Sequence, residues 1–426
     1  MKKIVILGAG ISGIGAGYQA RKDKNNKVIL FEKNSSWGGL CDNFTINGFR
    51  FDRFVHFSFT NNQEVRELFD KGSKSIFHIP NPSNYYKGTW LKHPAQNNLY
   101  SLTNEEKEKI LNSFKKRNNK SIDEIKNYEE WLRIQYGDYF AENFPMKYTK
   151  KYWGVEAKEL ETKWIGNRMY KPTLEEVEQG MRTKDTPLTY YAKEMRYPVT
   201  GGYKSYLNYI AKDLDIRLNH KVREVDIKNK VIYFTNNTQE TYDELISSIP
   251  LSEMNKVIKN IPENIEKEIK KLRWTSGYII SLGLKNKNIP PYLWFYIYDE
   301  DILFARVYSP SHKSSDNCPK GCSSLQLEIY FENEKEFKFS KEELLKKSIQ
   351  KLVEMKVIKE EDLIVRDIRF EKYANVIFDF NIYEARKKIR EYLENIGIKT
   401  IGRFGEWDYL WSDQSLISGL EKGVNK

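Results

Sequence analysis

Three glycines, Gly8, Gly10 and Gly13, form a GxGxxG pattern directly after the short β-branched run Lys3–Leu7. The pattern suits the holding of a pyrophosphate. The first glycine permits a tight turn, the second lets the backbone approach the phosphates, and the third lets a strand and a helix pack closely. A helix starting at Ile11, Ser12 and Gly13 aims unpaired N–H groups at phosphate oxygens. Glu32 ends the next apolar run, Lys27–Phe31, about 20 residues on, where an acid accepts a hydrogen bond from a ribose hydroxyl. A glycine-rich turn without a ligand would not require that acid.

Two further segments select the dinucleotide. Lys33 opens KNSSWGGL, whose Gly38 and Gly39 precede Leu40. A glycine pair just past the ribose acid recurs in flavoproteins, where the chain runs back along the cofactor. At the far end, IGRFGEWDYLWSDQSLISGLEKG has the form of a flavoprotein C-terminal segment closing over the ribityl chain and ring. It supplies Gly402, Arg403, Tyr409, Asp413, Gln414 and Ser415 as expected cofactor contacts. Both segments point to FAD over NAD.

These residues need elements to hold them. Strand, glycine turn, helix and strand within the first 31 residues open a doubly wound α/β sheet. Helices are expected over Glu105–Asn118 and over Ser121–Tyr136, with Ser121 and Asp123 as caps. A loop at Tyr197–Tyr203 precedes an amphipathic helix reaching Leu214. Strands are expected at Lys221–Val225, Val231–Phe234 and Glu244–Ser248, with a turn at Thr235–Thr238. Antiparallel strands are expected at Gly277–Leu284, Trp294–Tyr298, Ile302–Tyr308 and Ser323–Phe331. Helices follow near Lys341–Met355 and Tyr383–Asn395, then a strand at Lys399–Ile401 and a helix from about Ser415. The expected fold is a Rossmann-type FAD-binding domain assembled from residues 1–75, 195–255 and 396–426. A mainly helical substrate domain (76–194) and an α+β substrate domain (256–395) are inserted into it.

Composition narrows the class. The chain has 426 residues, 40% hydrophobic and 30% charged, which are globular values for two or three cores. Its net charge of +11 suits a phosphate-bearing partner, but lysine is spread along the chain in solvated helix faces, with no compact basic block. No nucleic-acid partner is expected. Cys318 and Cys322 are spaced C-x3-C without a nearby histidine, so no metal site is expected, and three cysteines in all fit a reducing compartment. There is no run of 18 apolar residues. The expected location is cytoplasmic. Peripheral membrane contact and oligomerisation stay open.

The ordered motifs resemble the UDP-galactopyranose mutases and their relatives in the flavin amine oxidase and protoporphyrinogen oxidase superfamily. GAGISGIGAG, KNSSWGGL, FVHFSFTNNQEV, GTWLKHPAQNNLYSL, the WIGNRM segment, YPVTGG, LWFYIYDEDILFARVYSPS and GRFGEWDYLWSDQS carry the likeness. The QNN, YTKKYWG and WIGNR pieces are particular to the mutase-like branch. The resemblance implies a reduced flavin that acts as a nucleophile on the anomeric carbon, with NAD(P)H as a reductant compatible with that state. It implies that Arg168 and Arg306 hold the leaving diphosphate, as planar forks suited to phosphate. Tyr409 would assist them, Gln96 would contact the nucleotide, and Trp294 and Tyr296 would lie beside the sugar and phosphates. His56 would lie beside the flavin. Each has a plainer alternative: an interdomain ion pair for the arginines, aromatic packing for Tyr409, Trp294 and Tyr296, and a structural hydrogen bond for His56.

The chain also departs from the mutases. Phe54 and Val55 stand where they have two glycines before the histidine. Around KYANVIFDFNIY, Ile377 or a neighbour stands where they have a tyrosine. Ser412-Asp413-Gln414-Ser415 replaces GNQDH and is shorter. The leading expectation is an FAD-dependent pyranose–furanose mutase acting on a nucleotide sugar in cell-surface polysaccharide synthesis. The alternative is an FAD oxidoreductase of amine oxidase or protoporphyrinogen oxidase type, with net hydride transfer. A third reading is a flavin-binding relative without turnover at a membrane surface. No Ser/His/Asp constellation suggests a hydrolase.

Overall fold

A computed structural model describes residues 1–423, apart from 119, 122–123, 167, 188, 190–191 and 333–337. Strand β1 (Lys2–Leu7), helix α1 (Ile11–Ala20) and strand β2 (Asn26–Phe31) form the opening unit. The two strands pair in parallel, with Ile4 opposite Val28 and Leu7 opposite Phe31. Four residues of β1 and three of β2 are buried as unbroken apolar runs, the pattern of strands covered on both faces. Three more parallel strands complete a five-stranded sheet in the order Ile398–Thr400, Glu244–Ser247, β1, β2, Asp215–Arg217. The strands come from three stretches far apart in the chain.

A seven-stranded sheet makes the second layer. Its order is Leu363–Val376, Trp274–Leu284, Ser323–Phe331, Arg306–Tyr308, Trp294–Ile297, Ser83–Tyr86, Thr89–Lys92. All neighbours are antiparallel except Trp294–Ile297 with Ser83–Tyr86. Residues 83–92 thus pair with strands drawn from 274–376. The helices Asn104–Lys115, Tyr128–Tyr136, Asp138–Asn143, Pro145–Trp153 and Leu174–Arg182 pack on one another, and Pro145–Trp153 packs on the sheet strand Ser323–Phe331. Their aromatic faces join one core with Tyr86, Phe378 and Trp407.

Several local expectations need correction. The helix expected from Ser121 starts at Tyr128, because Asn127 is its cap: its Oδ1 accepts the Glu130 N–H at 2.9 Å. Ser121 instead donates its N–H and hydroxyl to Glu124, in a separate turn, and Asp123 lies outside the described residues. The amphipathic helix after Tyr203 shrinks to a 3₁₀ stretch, Tyr203–Leu207, and one α-turn, Asn208–Ala211. The strand expected at Ile302–Tyr308 is only Arg306–Tyr308. The final helix starts at Ser412, since Gln414 Oε1 accepts the Trp411 N–H at 2.9 Å and makes Trp411 the cap. The fourteen-residue strand Leu363–Val376 was not anticipated.

Candidate cofactor and substrate site

The glycine turn separates ligand demands from packing demands. Gly8 has φ 95°, and a Cβ there would lie 2.2 Å from Ser248 Oγ. A Cβ on Gly13 would lie 2.0 Å from Gly8 O. Both glycines are required by the protein itself. Gly10 is different. A Cβ there would meet only Gly39 Cα, at an ordinary 3.8 Å, and its backbone is extended. The open space beside Gly10 is what a pyrophosphate needs. No side chain caps α1, so the first-turn N–H groups of Ile11, Ser12 and Gly13 stay available to an anion.

Glu32 is buried at the end of the turn. Its Oε2 accepts the Ala9 N–H at 3.0 Å, and its Oε1 accepts Asn34 N–H and Nδ2–H at 3.0 and 2.8 Å. A carboxylate offers about four acceptor sites, so capacity remains for a ribose hydroxyl. Gly38 donates its N–H to Ala9 O at 2.8 Å and so lays the Gly38–Gly39 pair against Gly10, with Lys33 exposed and Leu40 on the cavity wall. Gly402 donates its N–H to Ser418 Oγ at 2.9 Å, and a Cβ there would collide with Ser12. The C-terminal segment therefore closes onto the start of α1. Asp413, Gln414 and Ser415 form the first turn of the last helix, directly after Ser412, which lines the cavity. These residues fit a dinucleotide such as FAD.

A cavity of about 680 Å³ adjoins this segment. It brings together His56, Gln96, Arg168, Trp294, Tyr296, Arg306, Arg403 and Tyr409. The three arginines are not equivalent. Arg306 places Nε and Nη2 each 2.7 Å from Oε2 of Glu328, a wholly buried carboxylate. Burial alone would lower the Arg306 pKa; the Glu328 charge overrides it and holds the guanidinium protonated. Arg168 donates to the carbonyls of Trp164 (2.6 Å) and Tyr409 (3.3 Å), and its guanidinium lies 4.6 Å from the Tyr409 ring. Arg403 donates to Asn375 Oδ1 at 2.9 Å and lies 5.0 Å from the same ring. Neither Arg168 nor Arg403 meets a carboxylate among the described residues. Tyr409 is thus held by cations as well as by Trp153 and Trp164.

The opposite wall is aromatic. Phe54 packs its ring parallel to Tyr330 at 6.1 Å, and Tyr330 meets Tyr152 edge-on at 5.0 Å. Phe54 and Val55, the departures from the glycine pair, therefore line the cavity with bulk. His56 Nδ1–H donates to Phe54 O at 2.9 Å, and its ring stacks on Tyr203 at 4.9 Å. Desolvation lowers its pKa to about 4, so it is neutral at pH 7. His93, not singled out in the sequence, also lines the cavity; burial lowers its pKa to about 3. Asn375 is the second residue that was missed. The one cue was a polar side chain inside the apolar run ANVIF. Ile377 is buried off the cavity, whereas Ala374 and Asn375 line it.

Behind the wall lies a buried node. Asp52 Oδ2 accepts from Lys313 Nζ at 2.6 Å and Tyr197 Oη at 2.7 Å, and Oδ1 accepts the Tyr203 N–H at 3.1 Å. Lys313 and Asp52 side chains are both wholly buried. The node joins three separate chain segments immediately before the 53–57 stretch that forms the wall.

The family model described as flavin containing amine oxidoreductase matches residues 11–389. A structure of reduced UDP-galactopyranose mutase superposes with TM-score 0.92 at 24% identity, over 99% of this chain and 95% of that one. A structure assigned as a protoporphyrinogen oxidase from Exiguobacterium sp. 255-15 gives TM-score 0.77 at 16% identity, covering 99% and 98%. A fatty acid isomerase from P. acnes that produces CLA gives 0.67 at 12%, covering 99% and 97%. These likenesses establish the fold. A 1-hydroxycarotenoid 3,4-desaturase from Flavobacterium sp. (strain P99-3) is 42% identical over 52 residues, which span 12% of this chain and only 10% of the desaturase. No helix among the described residues is long and apolar enough to cross a membrane.

Proposed function

The chain belongs to the flavin containing amine oxidoreductase family, and from that premise we propose that it is a flavoenzyme interconverting the pyranose and furanose forms of a nucleotide-diphosphate sugar. The observation that carries this reading is the cavity's pair of arginines, Arg168 and Arg403, set against Tyr409 and without carboxylate partners among the described residues. When bound, FAD supplies a ring that in its reduced form is a nucleophile toward an anomeric carbon. Arg168 and Arg403 hold the departing diphosphate and keep it in place for return, since fixed cations need no reorganisation as charge develops. Tyr409 separates and orients them. Trp294, Tyr296 and Tyr152 offer ring faces to the C–H side of a sugar and keep water from the reacting carbon. Gln96 supplies an amide for the nucleotide end. His56, neutral beside Tyr203, holds the wall without adding charge.

The test is anaerobic. The flavin is reduced with dithionite, a panel of nucleotide sugars is added, and products are resolved by anion-exchange chromatography. A product of unchanged mass that forms only with reduced flavin is expected. Absence of any such product across UDP-, GDP-, CDP- and dTDP-sugars overturns the reading.

Two observations favour a second reading, an oxidoreductase that takes a hydride from its substrate. Glu328 neutralises Arg306, and Phe54 with Val55 thickens the wall where an apolar substrate would lie. Stoichiometric reduction of an electron acceptor with oxidised product is the result that would establish it.

A further inference from the structure

We infer that Cys318 and Cys322 are a peroxide-sensitive dithiol, which the fold holds ready to close into a reversible disulfide across one β-turn. Neither residue lines the cavity, and no third His, Cys, Asp or Glu joins them in a metal-holding group among the described residues. What the fold adds to the C-x3-C spacing is proximity. Cys322 donates its N–H to Pro319 O at 3.0 Å, closing a turn whose third residue, Gly321, has φ 86°. Cys318 Sγ–H donates to Cys322 O at 3.3 Å. Its sulfur therefore lies within about 6 Å of Cys322 Cα. Rotation about the two Cα–Cβ bonds is the motion left for the sulfurs to meet.

Both flanks of the turn are already pinned. Asn317 Nδ2 donates to Pro310 O at 2.9 Å and to Tyr197 Oη at 3.3 Å, and Ser323 Oγ donates to Asn286 O at 2.6 Å. Both cysteines rest on the apolar cluster of Phe49, Phe51 and Val365. Folding has thus removed most of the loop entropy that ring closure would otherwise cost. The other side is open: both thiols are part-exposed, and a Cβ on Gly321 would meet nothing within 4 Å. Burial, with Cys322 beside it, pushes the Cys318 thiol up, so Cys322 is the sulfur that meets the oxidant first. Cys41, the remaining cysteine, is buried; burial, then the charges of Asp52 and Asp42, push its thiol far up and keep it reduced.

The oxidant class is hydrogen peroxide, the product of dioxygen wherever air reoxidises a reduced flavin. The Cys322 thiolate attacks one peroxide oxygen. The O–O bond breaks, hydroxide leaves and takes up the thiol's proton as water, and the sulfur becomes a sulfenic acid. Cys318 attacks that sulfur, its S–O bond breaks, and a second water leaves with the Cys318 proton. Two thiols lose two electrons and two hydrogens, and one peroxide becomes two waters.

The test uses holoenzyme reduced with dithiothreitol, freed of it without air, and treated with hydrogen peroxide. Thiols are counted in denaturant, and intact mass, peptide map and melting temperature are recorded. Two of the three thiols should vanish, the mass should fall by two hydrogens, and the map should join Cys318 to Cys322. Dithiothreitol should reverse all three changes. The closed form should melt higher than the reduced one, because the short ring fits the folded turn. Cys318→Ser should instead carry Cys322 on to sulfinic acid, which dithiothreitol does not reverse. Cys322→Ser should keep both remaining thiols at a dose that closes the native pair. Retention of all three native thiols, a link involving Cys41, oxygen gain in place of hydrogen loss, or a lower melting temperature on closure would overturn the assignment. Closure as fast in the urea-unfolded chain would remove the fold's part in it. None of these outcomes depends on what the cavity binds.

Discussion

Gly10 and Gly13 look alike in the motif and differ in what they face. Because only a ligand needs the space beside Gly10, Gly10→Val should fold with a near-native melting temperature for the apoprotein and carry no FAD. Gly13→Val would push against Gly8 O and should fail to fold; flavin absorbance and circular dichroism on the two proteins separate the outcomes. Flavin retained in Gly10→Val would misplace the cofactor. His56 makes a second residue-scale prediction. Its pKa falls from 6.5 to about 4 on folding, so the unfolded chain binds a proton more readily. Stability from this group is complete above about pH 6.5 and is lost as pH falls toward 4. Melting temperature should drop across that window, and His56→Gln should flatten the drop; an unchanged profile would show that His56 titrates normally. The glycines and Glu32 were legible because their spacing is dictated by a fixed ligand geometry. Asn375 was not, since its role comes from Arg403, which meets it only in the folded chain.

Among elements, the crossing of α1 with Ser412–Lys422 decides whether the two ends of the chain make one site. The helices touch through small residues: a Cβ on Gly419 would lie 2.0 Å from Ser12 O, and one on Gly15 2.8 Å from Leu416. Gly419→Val should force them apart, costing about 1–3 kcal/mol by overpacking and releasing FAD. Unfolding in urea with flavin fluorescence would show both losses, and a tightly flavinated variant would show that the crossing does not support the site. The expected helix here was correct in kind and late by three residues, because capping by Gln414 was not read. The strand Leu363–Val376 escaped notice for a different reason. It is an edge strand whose middle mixes Arg366, Asp367, Arg369, Glu371 and Lys372 among apolar residues, so it lacks the apolar run of a central strand and has no strict period-2 alternation.

At the scale of the molecule, the Lys313–Asp52 pair ties the strand Phe49–Asp52, and through it Tyr197 and Tyr203, to the helical turn Pro310–Lys313. Lys313→Met leaves a buried carboxylate without its cation and should cost about 3–5 kcal/mol in urea unfolding. Adding Asp52→Asn should recover most of that, since the amide oxygen can still accept the Tyr203 N–H while its Nδ2 donates to the Tyr197 hydroxyl oxygen. A double variant as unstable as the single one would show that the pair does not act as a unit. The FAD-binding α/β beginning and the flavoprotein-like end were determined by sequence alone, because glycine turns, caps and β-branched runs act over a few residues. The tertiary structure decided which charges remain available. Arg168, Arg306 and Arg403 are the same residue type, and only the folded sheets bring Glu328 to one of them and Asn375 to another. Burial and partnership, not residue identity, distribute charge in this cavity.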